Sequence, residues 1–248
     1  MDDKKPIAVI AVVLTALIGG GAWWYLRPTE TPANTSPAAV TATEAPIEKP
    51  APPVNLPPLD QMDDFLRPLL SALSAWPELV RWLATDDLVR QLAFALDHAS
   101  KGNSPARDFK VIAPRGAFQA SGRGVRRTID PRSYQRYNSL VDTLVSIDAS
   151  AAARIYKTIK PRLDEAYQGL GNKNRTVDDA MHETLEILFD TPLISDPVDV
   201  IETGGSGWAF ADQSLEAHAP TQKQLLRMGP ANTDRVLVWL RAFQAALQ

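Results

Sequence analysis

Near its start the chain has a run of twenty uncharged residues, 7–26, and this run constrains the rest of the chain most strongly. It is apolar apart from Thr15 and three glycines. A helix of this length rises about 1.5 Å per residue and spans roughly 30 Å, the thickness of the hydrocarbon core of a bilayer. A lone segment in lipid satisfies its backbone polar groups only as a helix. The run therefore predicts a transmembrane anchor that tethers everything after it.

A cleaved signal peptide is the alternative interpretation of this run. Such a peptide has an apolar core of only about 7–15 residues, followed by a small-residue cleavage site. Here the run ends with Trp23, Trp24 and Tyr25, which suit a membrane–water interface, and no cleavage motif follows. Lysines precede the run and only Arg27 follows it closely, so the positive-inside rule places residues 1–6 in the cytoplasm. We therefore predict a bacterial inner-membrane signal-anchor with a periplasmic C-terminal domain.

Residues 27–58 are rich in proline, with nine prolines between Pro28 and Pro58. Proline removes backbone donors and fixes φ, and the segment has too few apolar side chains for a core. It is therefore predicted to be a disordered linker that spans roughly 30 Å as a coil and up to about 95 Å as polyproline II. Two roles stay open: a spacer that clears the headgroups, or a reach toward a wall layer or a partner.

The remaining residues, 59–248, are enough for one domain with its own core. The formal net charge is −3 and the pI is about 5.7, so the composition gives no case for nucleic-acid binding. The chain has no cysteine, which excludes disulfides and lipidated-cysteine anchors.

Apolar residues of the folded part recur at helical spacing, beginning with Leu66, Leu69, Leu70 and Leu73. Capping residues and prolines mark the boundaries of further helices. The predicted boundaries are Pro77 and Leu83; a Thr85 cap and Gly102; an Asp130 cap with Pro131, opening a helix that includes Tyr137 and Leu144; an Asp148 cap and Gly169; a Thr176 cap and Thr191; a Thr221 cap with Gly229 as a left-handed terminator; and Pro230.

Two stretches alternate apolar and polar residues instead and predict β-hairpins. The first joins residues 116–121 to 124–129 across Gly122, and the second joins 198–202 to 208–210 across a glycine-rich turn. The predicted fold class is mainly α with minor β, in a single helical domain with one transmembrane helix.

Several short stretches together resemble one bacterial family. They are residues 82–88 (WLATDDL), 104–107 (SPAR), 116–118 (GAF), 129–131 (IDP) with Tyr134 and Tyr137, Tyr156 with 160–162 (KPR), and 223–230 (KQLLRMGP). The set is similar to the domain of unknown function 3014 and covers most of the folded part, with the last motif the most distinctive. The resemblance implies a membrane segment, a proline-rich linker and this domain, and it brings no activity or site residues.

Charge gives the strongest candidate site. Residues 101–136 hold nine basic and two acidic side chains, while both flanking folded parts are acidic. Guanidinium groups suit phosphate and carboxylate ligands. The candidate ligand-binding residues are Arg115, Arg123, Arg126, Arg127, Arg132, Arg136, Tyr134 and Tyr137. The alternatives are that the arginines pair with acidic residues of the same domain or are solvated, and that the tyrosines pack in the core.

Metal and catalytic sites find weaker support. Asp178, His182 and Glu186 lie at helical spacing on one face, but no second ligand helix or complete zinc motif accompanies them, so we predict no metal and no cofactor. The Gly-Gly-Ser-Gly stretch at 204–207 is not a nucleophile elbow. Paired acids fall near predicted helix starts, where the helix dipole explains them.

The sequence therefore predicts a membrane-tethered, non-catalytic envelope module that binds an anionic ligand, such as lipid headgroups or wall polymer, or an acidic protein surface. A wall- or lipid-modifying hydrolase, whose carboxylates converge only in the fold, is a second hypothesis. A structural tether is a third.

Overall fold

The structure, a computed structural model, describes residues 55–105, 108–109, 114–195, 197–203 and 207–248. The helices are α1 (Met62–Ser71), α2 (Pro77–Leu83), α3 (Leu88–Ser100), α4 (Pro131–Gln135), α5 (Asn138–Val145), α6 (Ala149–Gly169), α7 (Val177–Phe189), α8 (Gln213–Glu216), α9 (Pro220–Met228) and α10 (Pro230–Leu247). The strands are β1 (Ala120–Ser121), β2 (Arg126–Ile129), β3 (Asp199–Thr203) and β4 (Gly207–Phe210). The predicted class, mainly α with minor β, is confirmed.

The predicted anchor, residues 7–26, lies outside the described residues, as do residues 27–54 of the predicted linker. Within the described ranges, no helix is both long and apolar enough to cross a bilayer. Arg162 on α6 donates from Nε to the carbonyl of Pro57 at 2.7 Å and from Nη2 to the carbonyl of Leu56 at 3.1 Å. The last residues of the predicted linker are therefore attached to the domain.

The main apolar core lies among the helices, where α6 packs against α10 and α3 packs against α6 and α7. The apolar face predicted for α6 is buried: Ala152, Tyr156, Ile159 and Leu163 are each at most 4 % exposed. Asp148 caps this helix by accepting from the amide of Ala151. A local cap and a continuous apolar face thus explain why α6 is the longest helix described.

The two predicted hairpins join into one antiparallel sheet with strand order β1-β2-β3-β4. Arg127 on β2 lies opposite Val200 on β3. Beside this pair, the Thr128 hydroxyl donates to the Asp199 carboxylate at 2.8 Å, across 71 positions of sequence. The sequence predicted each hairpin from local turns. It did not predict the pairing of β2 with β3, because no local pattern specifies a contact at that separation.

A second, smaller apolar cluster lies under one face of the sheet. It contains Ile129, Val200 and Phe210 together with Leu226 from α9. The neighbouring Leu225 and Met228 of α9 belong to the main helical core. Helix α9 therefore packs on both clusters, and its side chains link the sheet to the helices.

Two of the predicted helix caps are wrong. Thr85 does not begin α3; instead, the Asp63 carboxylate on α1 accepts from the amides of Asp87 and Leu88, at 2.7 and 2.9 Å. Thr221 lies buried in the first turn of α9, and its hydroxyl donates to the carbonyl of Gly102 at 3.3 Å. The start of α3 depends on a residue distant in sequence, which capping patterns do not reveal. Helix α9 begins at Pro220, where the Ala219 amide donates to Gln222 Oε1 at 3.0 Å, and the Thr221 contact with Gly102 adds to this local one.

Two further boundaries differ from prediction. The helix expected to run from Pro131 past Tyr137 is two helices, α4 and α5, separated at Arg136 and Tyr137. Gly229, predicted as a left-handed terminator, has φ +80° and ψ 160°, which is an extended glycine conformation outside the left-handed helical region. It ends α9 and immediately precedes Pro230, the first residue of α10.

Candidate functional site

The predicted arginines do not share one surface. Arg115 and Arg123 are exposed in the loops before and after β1. Arg126 and Arg127 are consecutive residues of β2, so their side chains lie on opposite faces of the sheet. The other two members follow the sheet in sequence: Arg132 is in α4 and Arg136 comes directly after it. The basic segment is therefore spread over two faces and one helix junction.

Several of these arginines have acidic partners inside the domain. Arg126 lies 3.8 Å from the Asp199 carboxylate and Arg127 lies 3.8 Å from that of Glu202. These distances are long for ion pairs, and exposed pairs of this kind contribute little stability. Arg132 is different, because it forms a two-pronged contact with Asp130 at 2.9 and 2.8 Å. Its guanidinium holds the pKa of the Asp130 carboxyl well below the usual range.

Aromatic rings and guanidinium groups lie close to one another at the sheet. The guanidinium carbon of Arg127 lies 5.4 Å from the ring centroid of Trp208, and Phe118 lies 5.7 Å from the same ring. From α9, Arg227 donates to the Trp208 carbonyl at 3.1 Å and lies 4.9 Å from the ring of Phe210. Arg227 thereby binds one of the backbone oxygens at the outer edge of β4.

Neither predicted tyrosine is an exposed ligand-binding residue. Tyr137 is 2 % exposed, and its hydroxyl accepts a hydrogen bond from Gln224 Nε2 at 3.0 Å. Tyr134 is half-buried, and its ring packs so closely on Gly229 that a Cβ there would lie 2.6 Å from the ring. Burial raises the pKa of both tyrosine hydroxyls. The core-packing alternative is therefore correct for Tyr137.

A cluster that the charge pattern did not reveal surrounds Tyr137. The guanidinium carbon of Arg136 lies 5.8 Å from the Tyr137 ring, and its Nε is buried without a hydrogen-bond partner. Arg227 is half-buried on α9, and burial lowers the pKa of its guanidinium. Burial raises the pKa of the Tyr137 hydroxyl, while the Gln224 hydrogen bond and both guanidinium charges partly offset this rise. Arg227 was missed because it lies outside the basic segment, although it belongs to the distinctive motif at 223–230.

The buried carboxylates all have cationic partners. Glu78 lies 3.0 Å from Arg81, and Asp97 lies 2.6 Å from Lys101. Asp130, the third, is held by its neighbouring arginine at 2.8 Å. A glycosidase-like mechanism needs two carboxyl groups that converge on substrate. The described residues contain no such pair of buried, unpartnered carboxylates, so the hydrolase hypothesis gains no support from them.

Asp178, His182 and Glu186, the residues at helical spacing that could have bound a metal, contact other side chains. Asp178 accepts from the Tyr156 hydroxyl at 2.6 Å and lies 3.3 Å from the Lys160 ammonium. His182 and Glu186 form an exposed pair at 3.1 Å. No group of three possible ligands of metal-site geometry occurs within the described ranges. Most of the Gly-Gly-Ser-Gly stretch, at 204–206, is outside them.

Comparison with known proteins gives one family. A family model described as "Protein of unknown function (DUF3014)" matches residues 88–244. No curated protein and no solved structure matches the chain. The matched region extends from the start of α3 into α10, so it includes the sheet, the arginines and the motif at 223–230. The chain belongs to the DUF3014 family.

Proposed function

We propose that the chain is a non-catalytic, membrane-tethered module of the bacterial cell envelope, which binds an anionic ligand through the basic end of its sheet. We define this basic sheet end as Arg123, Arg126 and Arg127. The observation that carries the proposal is the surplus of cations there. Within the part of the chain that the structure describes, three guanidinium groups meet two carboxylates, at 3.8 Å, and the Arg126 side chain is 67 % exposed.

Arg126 and Arg127 lie on opposite faces of the sheet, so the basic sheet end suits separate oxyanion groups of an extended anionic surface or polymer. A guanidinium presents a planar set of donors that fits phosphate or carboxylate oxygens. The position of Arg127 over the Trp208 ring restricts one such group, which reduces the ordering cost of binding. Weak internal pairs at long distance are readily exchanged for a ligand, whereas the close Arg132–Asp130 pair is not.

The proposed tether determines which anions the module meets. An anchor over residues 7–26 and a linker over 27–58 would hold it within about 95 Å of the membrane surface. Anionic lipid headgroups and wall polymers both lie within this reach. Because the whole chain carries a formal charge of −3, binding depends on the local patch and not on net charge.

The test replaces the three arginines with Glu in the full-length chain, held in nanodiscs of neutral lipid. Binding is measured by flotation with phosphatidylcholine vesicles, with and without phosphatidylglycerol. Each cation near an anionic surface is worth about 1 kcal/mol, so Arg123→Glu/Arg126→Glu/Arg127→Glu should weaken binding at least about 100-fold.

A matched variant controls for the change in net charge. Arg154→Glu/Lys173→Glu/Arg241→Glu makes the same change at exposed positions on other elements and should bind like the unmodified chain. If the two triple variants bind equally well, the basic sheet end is not the ligand site. Circular dichroism before and after the substitutions confirms that both variants are folded.

A further inference from the structure

We propose that Arg136, Arg227 and Gln224 form a binding site for a phosphate group, at the place where the α4–α5 junction meets α9. We refer to these three residues as the junction site. The proposal rests on the anion-binding function proposed above, but it assigns a ligand class to residues other than the basic sheet end. The two proposals can therefore fail separately.

The first argument is uncompensated charge. Among the described residues, neither Arg136 nor Arg227 has a carboxylate oxygen within 4.0 Å, although most other arginines of the domain do. Glu216 is the acidic residue that acts on Arg227, but its two oxygens already bind elsewhere. One accepts from the Lys223 ammonium at 2.7 Å, and the other accepts from the Phe210 amide at 2.9 Å. Among the described residues, these two partly buried cations therefore have no carboxylate in direct contact, and Glu216 acts on Arg227 only at longer range.

The second argument is the set of buried polar atoms that lack partners. Arg136 Nε is buried and makes no hydrogen bond, and neither does the side-chain oxygen of Gln224, a residue that is only 1 % exposed. The amide nitrogen of Gln224 already donates to Tyr137. Reversing that amide would let the tyrosine donate instead and would leave the NH₂ group unpaired, so one polar atom is unsatisfied in either orientation. A buried polar atom without a partner loses the hydrogen bond it would make in water, and a ligand would restore that bond.

The third argument is convergence. Gln224 and Arg227 lie three residues apart on α9 and therefore share a helix face. Arg136 approaches the same place from the α4–α5 junction, because it lies over the ring of Tyr137, whose hydroxyl binds Gln224. Both guanidinium groups act electrostatically on that hydroxyl. The buried tyrosine contacts Arg136 and Gln224, and Arg227 lies next to Gln224 on the same face of α9.

These groups match a phosphate better than a carboxylate. One guanidinium fork satisfies the two oxygens of a carboxylate, whereas two forks can share the several oxygens of a phosphate. A singly protonated phosphate also carries a hydroxyl that can donate to the free oxygen of Gln224. The junction site offers donors and an acceptor together, which is the combination that a partly protonated phosphate requires.

The test uses the full-length chain in neutral nanodiscs and inorganic phosphate as the probe, against chloride at equal ionic strength. Phosphate should raise the Tm of the unmodified chain and shift the NMR signals of the Arg136 Nε–H and the Gln224 amide. Arg136→Gln removes a side chain without hydrogen bonds in the described structure, so the variant should fold. It should bind phosphate about tenfold more weakly or worse, since hydrogen bonds to charged groups are worth about 1.5–3 kcal/mol.

Two further variants make the result decisive. Arg241→Gln removes another arginine that lies over an aromatic ring, at 5.5 Å from Phe189, and should bind phosphate normally. Arg227→Lys keeps the charge but loses the fork, and should also weaken phosphate binding. If phosphate does not stabilise the unmodified chain, or if Arg136→Gln and Arg227→Lys both bind as Arg241→Gln does, the junction site is not a phosphate site.

The source of the phosphate group is resolved by a second arm. If Arg136→Gln also weakens binding to phosphatidylglycerol vesicles, the junction site takes a lipid headgroup; if only inorganic phosphate binding changes, it takes a soluble phosphate. Both results support the junction site. Failure of the function proposed above has another signature, namely vesicle binding that survives the triple substitution of the basic sheet end.

Discussion

Gly229 is the residue on which the packing of α9 depends most directly. Its backbone, with φ +80° and ψ 160°, lies in a region that is essentially restricted to glycine. Its Cα also lies against the Tyr134 ring, where a Cβ would come within 2.6 Å of the ring carbon. These requirements are independent, since one is the backbone conformation of Gly229 and the other is the space between Gly229 and the Tyr134 ring. Together they explain why position 229 of the motif at 223–230 is glycine, directly before Pro230 opens α10.

Gly229→Ala should therefore destabilise the domain by about 2–4 kcal/mol, the sum of backbone strain and a steric clash. The free energy of unfolding, measured by chemical denaturation, tests this. Gly169→Ala is the control, because Gly169 ends α6 with ordinary φ and a Cβ added there would meet nothing within 4 Å. That change should be neutral or stabilise by about 0.5–1 kcal/mol. Equal effects at the two glycines would contradict this account of Gly229.

The sequence did not predict Arg227 as a candidate site residue. A run of nine basic residues within 101–136 is visible by counting, and it predicted the exposed Arg123 and Arg126. Arg227 is a single basic residue on an amphipathic helix, so a count of basic residues per segment does not identify it. Among the described residues it has no carboxylate oxygen within 4.0 Å, which is a property of the fold. The close pairing of Arg132 with Asp130, compared with the longer contacts of Arg126 and Arg127, is likewise visible only in the fold.

At the scale of elements, the helices that carry their own caps were predicted well. Asp130, Asp148 and Thr176 each cap the helix that follows them, and Thr176 forms the predicted capping box with Asp179. A cap of this kind is a contact between residues two or three positions apart, so the sequence contains it. Helix α3 begins at a contact that spans a long separation, as the pairing of β2 with β3 does, and no local pattern predicts either of them.

The start of α3 gives a prediction at this scale. Its first amides are bound by a carboxylate from another helix, Asp63 on α1, and Asp87 adopts φ +59° to present them. Asp63→Ala should cost about 1–2 kcal/mol, the usual value of a helix cap. Hydrogen exchange should show the loss first in α3, because the amides of Asp87 and Leu88 lose their acceptor.

Asp64 provides the matched control for this experiment. It is the next residue on α1, but its side chain is 94 % exposed and its contact with Arg67 is long, at 3.8 Å. Asp64→Ala should change the free energy of unfolding by less than about 0.5 kcal/mol. If the two alanine variants lose equal stability, Asp63 does not cap α3 from outside the helix.

At the scale of the whole molecule, the described domain combines a helical core with a small sheet, and α9 contacts both. Trp208 contacts both the basic sheet end and the junction site. Arg127 lies over its ring, and Arg227 binds its backbone carbonyl. Ligand binding at either site therefore changes a contact of Trp208. This link is a physical reason to measure the two sets of variants separately and then together.

The proposed tether yields the last prediction. Transferring the apolar side chains of residues 7–26 from lipid to water would cost on the order of 20 kcal/mol, so the full-length chain should remain in the membrane fraction. Deleting residues 2–26 should release it, whereas deleting residues 29–53, a segment of equal length in the predicted linker, should not. Alkaline phosphatase fused to the C-terminus should be active, because the positive-inside rule places that end in the periplasm. A soluble full-length chain or an inactive fusion would contradict the tether, and the tests of both anion sites would then use the full-length chain in solution without nanodiscs.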